Sequence, residues 1–220
     1  MSTRAPGMRP RLARLLLVSL LAGLFSCLWT AVAGAQTSPY VVRVEEDWEL
    51  VLAEPDANNN APQVSCVTSP MAGLESLHAV LSLNHQSLPE FIPGGIQLQV
   101  WNHETPQVWR KFPNAALMAH PGETIRWTQS MQLADNMLTF EVLNGNSTTW
   151  GAFGGQGYLK ASVPTTLADL NAYAPEVSVN NSGVSYAANR VQSLVLRKVR
   201  LVMSTGDVLE DDTPRPVGGQ

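Results

Sequence analysis

Three acidic residues at alternate positions near the start of the chain have the types and spacing to do chemistry together. Glu45, Asp47 and Glu49 lie in the segment YVVRVEEDWELVLAEPD, residues 40–56. In a β-strand, side chains two residues apart point to the same face. Two carboxyl groups about 5–5.5 Å apart form the catalytic pair of a retaining glycosidase. One hypothesis is therefore a glycoside hydrolase that uses these residues. The alternative is the solvated face of a sheet, kept acidic to prevent edge pairing.

A set of possible oxygen ligands for a metal follows directly. Asp56, Asn58 and Asn60 alternate as the first ligands of a calcium loop do. The sixth and twelfth positions of such a loop are Ala61 and Val67 instead of Gly and Glu, which excludes an EF-hand. A structural calcium site on Asp56 and Asn58 is one hypothesis, and a simple asparagine-rich turn is the other. No other cofactor is expected.

The remaining metal-ligating and nucleophilic residues are scattered. The four histidines form no close pair and have no cysteine companions, so the pattern does not predict a zinc site. The chain has no Gly-x-Ser-x-Gly motif. Cys66 lies in the alternating run QVSCVTS and is predicted to be buried and inert, with an intermolecular disulfide as the alternative.

A further candidate site combines aromatic rings with amide side chains. Flat aromatic faces beside amides hold sugars by stacking and hydrogen bonding. The segment around TTWGAFGGQGY predicts such a ligand site on Asn144, Asn146, Trp150, Phe153, Gln156 and Tyr158. Trp101 and Trp109 flank the turn NHETP in a similar way. In the alternative interpretation, these rings fill the core.

The elements that must position these residues are predicted to be strands. Apolar and polar residues alternate in short runs, among them IQLQVW, MLTFEVLN and RVQSLVLRKVRLVM, and turn residues separate the runs. About ten such runs predict an all-β protein, an antiparallel two-sheet sandwich with at most one short helix. The helical candidate is TTLADLNAY, 165–173. We expect one β-sandwich domain over 36–208 and a flexible C-terminal tail over 209–220.

Alternation within the first strand predicts which side chains enter the core. Val44 and Trp48 share the apolar face with Glu46, whereas the three alternating acids take the opposite face. An unpaired carboxylate among apolar side chains is costly. We therefore expect either a cation beside Glu46, such as Arg126 or Arg190, or a β-bulge at that point.

Two resemblances to known proteins accompany this pattern. The strand order, with MLTFEVLNGNSTTW in mid-chain and the long final strand NRVQSLVLRKVRLV, resembles the jelly-roll or concanavalin-like sandwich of lectins and glucanases. The acidic run of the first strand is similar to the shorter form of the glucanase motif, Glu-x-Asp-x-Glu. The segments VEEDWELV, LNHQS, TTWGAFGGQGYLKASV and GDVLEDDTPR resemble a group of uncharacterised secreted bacterial proteins. The first resemblance implies a fold, and the second brings no activity with it.

The first 35 residues are predicted to be a signal peptide. Four arginines without an acid precede the apolar run from Leu15 to Leu28, and AVAGA at 31–35 offers a cleavage site. That run is too short for a comfortable membrane anchor, and no later segment is long and apolar enough to span a bilayer. A lipoprotein attached at Cys27 is the alternative, although Phe25 fits that motif poorly. The protein is thus expected to be secreted or to belong to the cell envelope.

The charge of the mature chain limits its partners. Loss of the four leader arginines leaves 10 basic and 18 acidic residues, a net charge of −8. This balance argues against nucleic acid and against an anionic membrane surface. We expect an exported, non-enzymatic module that binds a glycan or another extracellular or envelope component. A hydrolase built on the first strand and a purely structural coat or adhesion subunit are the alternatives.

Overall fold

Two antiparallel sheets and one short α-helix make up the part of the chain that the computed structural model describes, which is residues 38–53, 62–83, 95–112, 122–148, 151–155 and 157–218. Sheet A consists of β1 (Val41–Leu52), β6 (Thr124–Ala134), β7 (Met137–Ser147), β8 (Gly151–Phe153), β9 (Lys160–Pro164), β11 (Val191–Met203), β12 (Val208–Asp211) and β13 (Arg215–Pro216). Sheet B consists of β2 (Gln63–Thr68), β3 (Leu77–Leu83), β4 (Ile96–Asn102), β5 (Thr105–Phe112) and β10 (Gly183–Tyr186). The helix α1 spans Pro175–Asn181, and a 3-10 turn spans Ala188–Arg190.

The strand order places β1 inside sheet A. Sheet A runs β12-β11-β1-β6-β7-β8, with β13 also paired to β11 and β9 to β7, and sheet B runs β10-β2-β3-β4-β5. Each pairing is antiparallel. The predicted all-β sandwich is therefore confirmed, and the strands bury their apolar faces by stacking two sheets.

A shared apolar core lies between the two sheets. Trp48 of β1 and Trp127 of β6 are cross-strand partners whose rings stack with centroids 6.2 Å apart and planes 6° apart. Leu81 and Leu98 of sheet B are buried in the same cluster. Parallel displaced rings of this kind add about 0.5–1.5 kcal/mol to the gain from burial. The core thus fixes the orientation of β1, the strand that carries the three alternating acids.

Glu46 lies on the core side of β1, as alternation predicts, but the expected cation is absent among the described residues. Its carboxylate is 0% exposed and accepts hydrogen bonds only from neutral donors. The donors are Trp48 Nε1 at 3.0 Å, Thr68 Oγ1 at 3.0 Å, Gln129 Nε2 at 2.9 Å, Tyr173 Oη at 2.8 Å and Ser178 Oγ. The expectation of Arg126 or Arg190 was wrong. Arg126 lies on the opposite face. Of the bulge expected at Glu46, the β1–β6 register shows nothing, whereas the β1–β11 register shifts one residue later, between Asp47 and Trp48, with the extra residue in β11.

The helix begins after the segment predicted for it. Residues 165–173 form turns, in which the Thr165 hydroxyl accepts from Leu167 N–H and the Asp169 carboxylate accepts from Asn171 N–H. Such local bonds offer the backbone an alternative to helix. Helix α1 starts instead at Pro175, since proline suits the first helical position.

The predicted flexible tail is also different in the structure. Residues 208–211 and 215–216 pair with β11, and Val217 is 6% exposed in the core cluster. This role was not predicted from the sequence, because a charged segment such as EDDTPR is typical of a solvated terminus. In the fold, Lys198 contacts Glu210 and Asp212 at 3.1 and 2.9 Å, which holds β12 to β11.

Candidate functional site

The outer face of sheet A carries polar side chains from neighbouring strands in matching rows. In one row Glu49 of β1 lies opposite Arg126 of β6, which lies opposite Asn146 of β7. In the next row Asp47 is followed by Thr128 and Asn144 in the same order. Antiparallel register brings the side chains of each row within reach of one another, although up to 97 positions separate them in the chain.

A β-bulge in β11 adds cations to this face. Asp47 pairs with Lys198 and Trp48 pairs with Leu196, so Arg197 is an extra residue in β11. Alternation without the bulge would put Arg197 and Lys198 on opposite faces. With it, both reach carboxylates on the outer face, Arg197 at Glu49 and Lys198 at Glu210 of β12 and at Asp212 just after it. A bulge that redirects side chains in this way is common beside binding sites.

Glu49 is the most enclosed acid on this face. It is 7% exposed, and its Oε2 accepts from Arg126 Nε and Nη2, each at 2.7 Å. Its Oε1 accepts from Arg197 Nε at 3.1 Å and from Arg197 Nη2. The bond from Arg197, joined by those from Arg126, holds the pKa of Glu49 below its ordinary value despite partial burial.

Arg200 connects the other two acids. Its Nη1 and Nη2 donate to Asp47 at 2.7 and 2.9 Å, and its Nε donates to Glu45 at 2.8 Å. These bonds raise the pKa of the Arg200 guanidinium, the pair with Asp47 contributing most. Arg43 contacts the far side of Glu45 at 3.1 Å. Each of the three acids is thus held by at least one arginine.

We call the depression formed by these side chains the polar groove. Its volume is about 460 Å³, and it is open to solvent. It is lined by Asp47, Trp48, Glu49, Arg126, Trp127, Thr128, Asn144, Arg197 and Arg200. The Thr128 hydroxyl lies 2.7 Å from Asp47 Oδ1 and 3.1 Å from Asn144 Oδ1, so it has two acceptors for one proton.

The structure divides the site predicted around TTWGAFGGQGY. Asn144 and Asn146 are exposed at the edge of the polar groove. Phe153 is 1% exposed and packs over Gly145 in the core, and Tyr158 is half-buried against that core. The rings of Phe153 and Tyr158 therefore lie in the core or pack against it. The predicted site residues Trp150 and Gln156 lie outside the described residues.

The other candidates are the possible metal-ligating residues and the cysteine. Asp56 and Asn58 lie outside the described residues, as do two of the histidines. Within the described ranges, no three His, Cys, Asp or Glu side chains come together as a metal site requires. Cys66 is 1% exposed and unbonded to another cysteine, so its predicted burial is confirmed. Burial and the charge of Glu46 raise the pKa of its thiol. None of the described helices has the length and apolar character needed to cross a membrane.

Sequence reasoning missed the arginines that hold the three acids. Arg197 and Arg200 belong to the segment LRKVR of the last long strand. They lie 148 to 155 positions from the acids that they contact. One signal was available: three alternating acids in the first long strand and three cations in the last are complementary. Adjacent antiparallel strands favour such pairs.

Fold and site together define a two-sheet antiparallel β-sandwich with a charged outer groove. No known protein family matches the chain, and no characterised protein matches it in sequence. Among solved structures, it is similar to the ancestral congerin Con-anc, at 9% identity and a TM-score of 0.31, over 74% of this chain and 94% of that one. A variant of the ancestral congerin Con-anc′ is similar at 10% identity and a TM-score of 0.30, over 71% and 94%. A likeness of this size carries no argument about ligand or activity.

Proposed function

We propose that this protein is an exported, non-enzymatic β-sandwich module that binds carbohydrate in the polar groove. The observation that carries the proposal is the groove itself, an open depression on a rigid sheet face in which donors and acceptors are held in place by one another. Sugar hydroxyls both donate and accept, so they match a surface that offers both kinds of group at fixed positions. The exposed amides of Asn144 and Asn146 extend that surface along β7.

The preorganisation of the groove supports a binding role. Asp47 and Glu49 each receive a bidentate or double arginine contact, which restricts both partners before a ligand arrives. Binding then costs less conformational entropy, since these side chains are already ordered. A site on strands also holds its geometry better than one on loops.

The state of Glu49 does not favour hydrolysis. A glycosidase needs one carboxyl group that stays protonated near neutral pH, which requires a raised pKa. Here the arginines lower the pKa of Glu49, and every carboxylate oxygen of Glu45, Asp47 and Glu49 contacts an arginine, so none of the three is placed as the protonated acid. We therefore expect no release of reducing sugar from any oligosaccharide that the protein binds. Turnover that is lost in Glu45→Gln would instead support the hydrolase.

A glycan array probed with the protein produced from its full coding sequence tests the proposed function. Asn144→Ala and Thr128→Val should each weaken any bound glycan, because they remove groups that line the groove. Asn189→Ala is the matched control, since this exposed asparagine lies in the 3-10 turn. Binding that is unaffected by both groove variants, or no glycan bound at all, would contradict the proposal. Concentration-dependent assembly without glycan binding would favour a structural coat or adhesion subunit.

Export is tested separately by the N-terminus of the protein recovered from producing cells. A mature chain that begins at residue 36, or at 34, supports cleavage by a signal peptidase. A lipid-modified chain that begins at Cys27 would point to the lipoprotein alternative. An intact Met1 in a chain that stays in the cytoplasm would contradict export.

A further inference from the structure

The acids of the polar groove and of its border are all paired with arginines. Asp47 and Glu49 line the groove, and Glu45 lies beside them on the same strand. Four guanidinium groups, from Arg43, Arg126, Arg197 and Arg200, hold these three carboxylates. Both oxygens of Asp47 and of Glu49 accept from an arginine. A ligand that approaches this surface therefore meets paired charges instead of a single-sign patch.

We infer, on the basis of the proposed function, that the groove selects neutral glycans, excludes uronic and sulfated ones, and needs no metal ion. An anionic ligand at one of these arginines either displaces the carboxylate of the protein that the arginine already holds or is repelled by it. Glu49 matters most here, because its side chain is only 10% exposed. If a ligand took its arginines, the carboxylate would be left unpaired and largely shielded from water. Loss of the partner of a buried charge is costly.

A divalent cation would also have to compete for these paired carboxylates. Calcium needs six to eight oxygen ligands, mostly carboxylate and carbonyl oxygens. In the groove, the carboxylate oxygens already accept from arginines at 2.7–3.1 Å. A cation would have to displace those arginines and would then lie among three positive groups. Binding of sugar through a bridging calcium ion is therefore disfavoured.

Neutral hydroxyls can use the capacity that remains. Thr128 has one proton for two acceptors, and the carboxylate of Asp47 is the nearer and stronger of the two. This leaves Asn144 Oδ1 able to accept from a ligand hydroxyl, and the amide group beside it able to donate. The Arg126 side chain is 71% exposed and keeps further N–H groups for a neutral acceptor.

Three matched pairs of oligosaccharides test this inference by calorimetry with the full protein. The pairs are glucan and glucuronan, galactan and galacturonan, and mannan and mannuronan, each of equal length and linkage. We expect the neutral member of at least one pair to bind at least about tenfold more tightly than its uronate. Kd should change less than about twofold between roughly 50 and 500 mM NaCl, because no net charge is neutralised on binding. EDTA should leave it unchanged.

A selectivity switch makes the test sharper. Glu49→Gln frees Arg126 and Arg197 from a carboxylate, so the ratio of uronate to neutral affinity should rise at least about fivefold. Glu104→Gln removes the same charge from an exposed turn of sheet B and should leave the ratio unchanged. If Glu49→Gln does not fold, Asp47→Asn makes the same test through Arg200.

The outcomes separate the two proposals. A uronate preferred by the unchanged protein, binding that EDTA abolishes, or a Glu49→Gln variant with an unaltered ratio overturns this inference while leaving carbohydrate binding intact. Binding of no oligosaccharide on the array or in any of the three pairs overturns the proposed function and this inference together. Neutral preference with the expected switch supports both.

Discussion

At the scale of single residues, the Glu46 carboxylate is the point where separate parts of the fold meet. Its donors come from β1, β2, β6, the turn segment before α1, and α1 itself. A fully hydrogen-bonded buried network specifies one arrangement of the core, because each alternative leaves a polar group without a partner. Burial and the neighbouring charge of Glu46 raise the pKa of Tyr173, which keeps that hydroxyl protonated as a donor.

The replacement Glu46→Leu should destabilise the protein by more than about 3 kcal/mol, because five buried donors lose their acceptor. Glu46→Gln should cost at least about 2 kcal/mol less. The amide can keep one oxygen toward Trp48 and Gln129, while the hydroxyls of Tyr173 and Ser178 rotate to accept from its nitrogen. Urea unfolding of both variants gives the measurement.

Glu141→Gln is the control for this comparison. Glu141 forms a surface pair with Lys160 at 3.0 Å, and pairs of this kind contribute about 0–1 kcal/mol. If the leucine and glutamine variants of Glu46 lost the same free energy of unfolding, the carboxylate would not stabilise the protein through its hydrogen bonds to these donors.

Glu49 predicts a specific loss of stability in acid. Its pKa is lower in the folded protein than the ordinary value of 4.5, so its contribution is present above that value and is lost as the pH falls through the folded pKa. Glu49→Gln should therefore show a smaller drop in urea midpoint than the unchanged protein between about pH 5 and pH 3. An equal drop in urea midpoint for both proteins would mean that the arginine contacts do not persist in solution.

At the scale of elements, β1 shows what a single sequence can predict and what it cannot. Period-two alternation correctly separates Trp48 from the three alternating acids, because side-chain direction in a strand depends only on local geometry. The partners of Glu46 could not be predicted, since Gln129 and Ser178 are 83 and 132 positions away. The bulge at Arg197 has no local signature either, yet it decides which cations face the groove.

The C-terminal strands should be required for stability. A chain that ends at Asp207 loses β12, β13 and the buried Val217, whose N–H donates to Leu194 O at 2.9 Å. We expect the free energy of unfolding to fall by more than about 2 kcal/mol, from the lost apolar burial alone. A chain that ends at Gly218 is the control and should match the full chain. If both truncations behave alike, the tail contributes nothing to the fold.

Gly145 should be intolerant of a side chain, because β7 and β8 approach each other closely there. A Cβ at this position would meet the Phe153 ring, its cross-strand partner. Gly145→Ala is expected to cost about 1–3 kcal/mol through overpacking. Gly183→Ala in β10 is the control, because a Cβ there has nothing within 4 Å. Thermal unfolding of both variants measures the difference, and similar melting temperatures would contradict the packing described here.

At the scale of the whole molecule, the sandwich is held by packing and hydrogen bonds, since Cys66 makes no disulfide in the described part of the chain. Its buried thiol should react with a thiol-specific dye at least about a hundredfold faster in urea than in buffer. Thr166→Cys places a thiol at an exposed position and serves as a control that labels at once. Fast labelling of Cys66 in buffer would show that the core opens readily. A reducing agent should leave the melting temperature unchanged.

The whole-molecule prediction from sequence was more successful for fold than for site. Short alternating runs are enough to predict two stacked sheets, because few other arrangements bury one face of each strand. The site depends on which strands become neighbours, and that follows from topology. Asn144 and the acids of β1 were both selected from the sequence, but only the strand order brings them into one groove.

The stacked indoles of Trp48 and Trp127 have a use beyond packing. Two nearly parallel rings with centroids 6.2 Å apart absorb ultraviolet light as a coupled pair of chromophores. Trp109, at 42% exposure, stays accessible to quenchers dissolved in the solvent. The protein therefore carries its own optical reporter. Circular dichroism of the coupled pair reports the spacing of β1 and β6. Collisional quenching of Trp109 fluorescence reports the exposed surface around that residue. Neither measurement needs an attached dye.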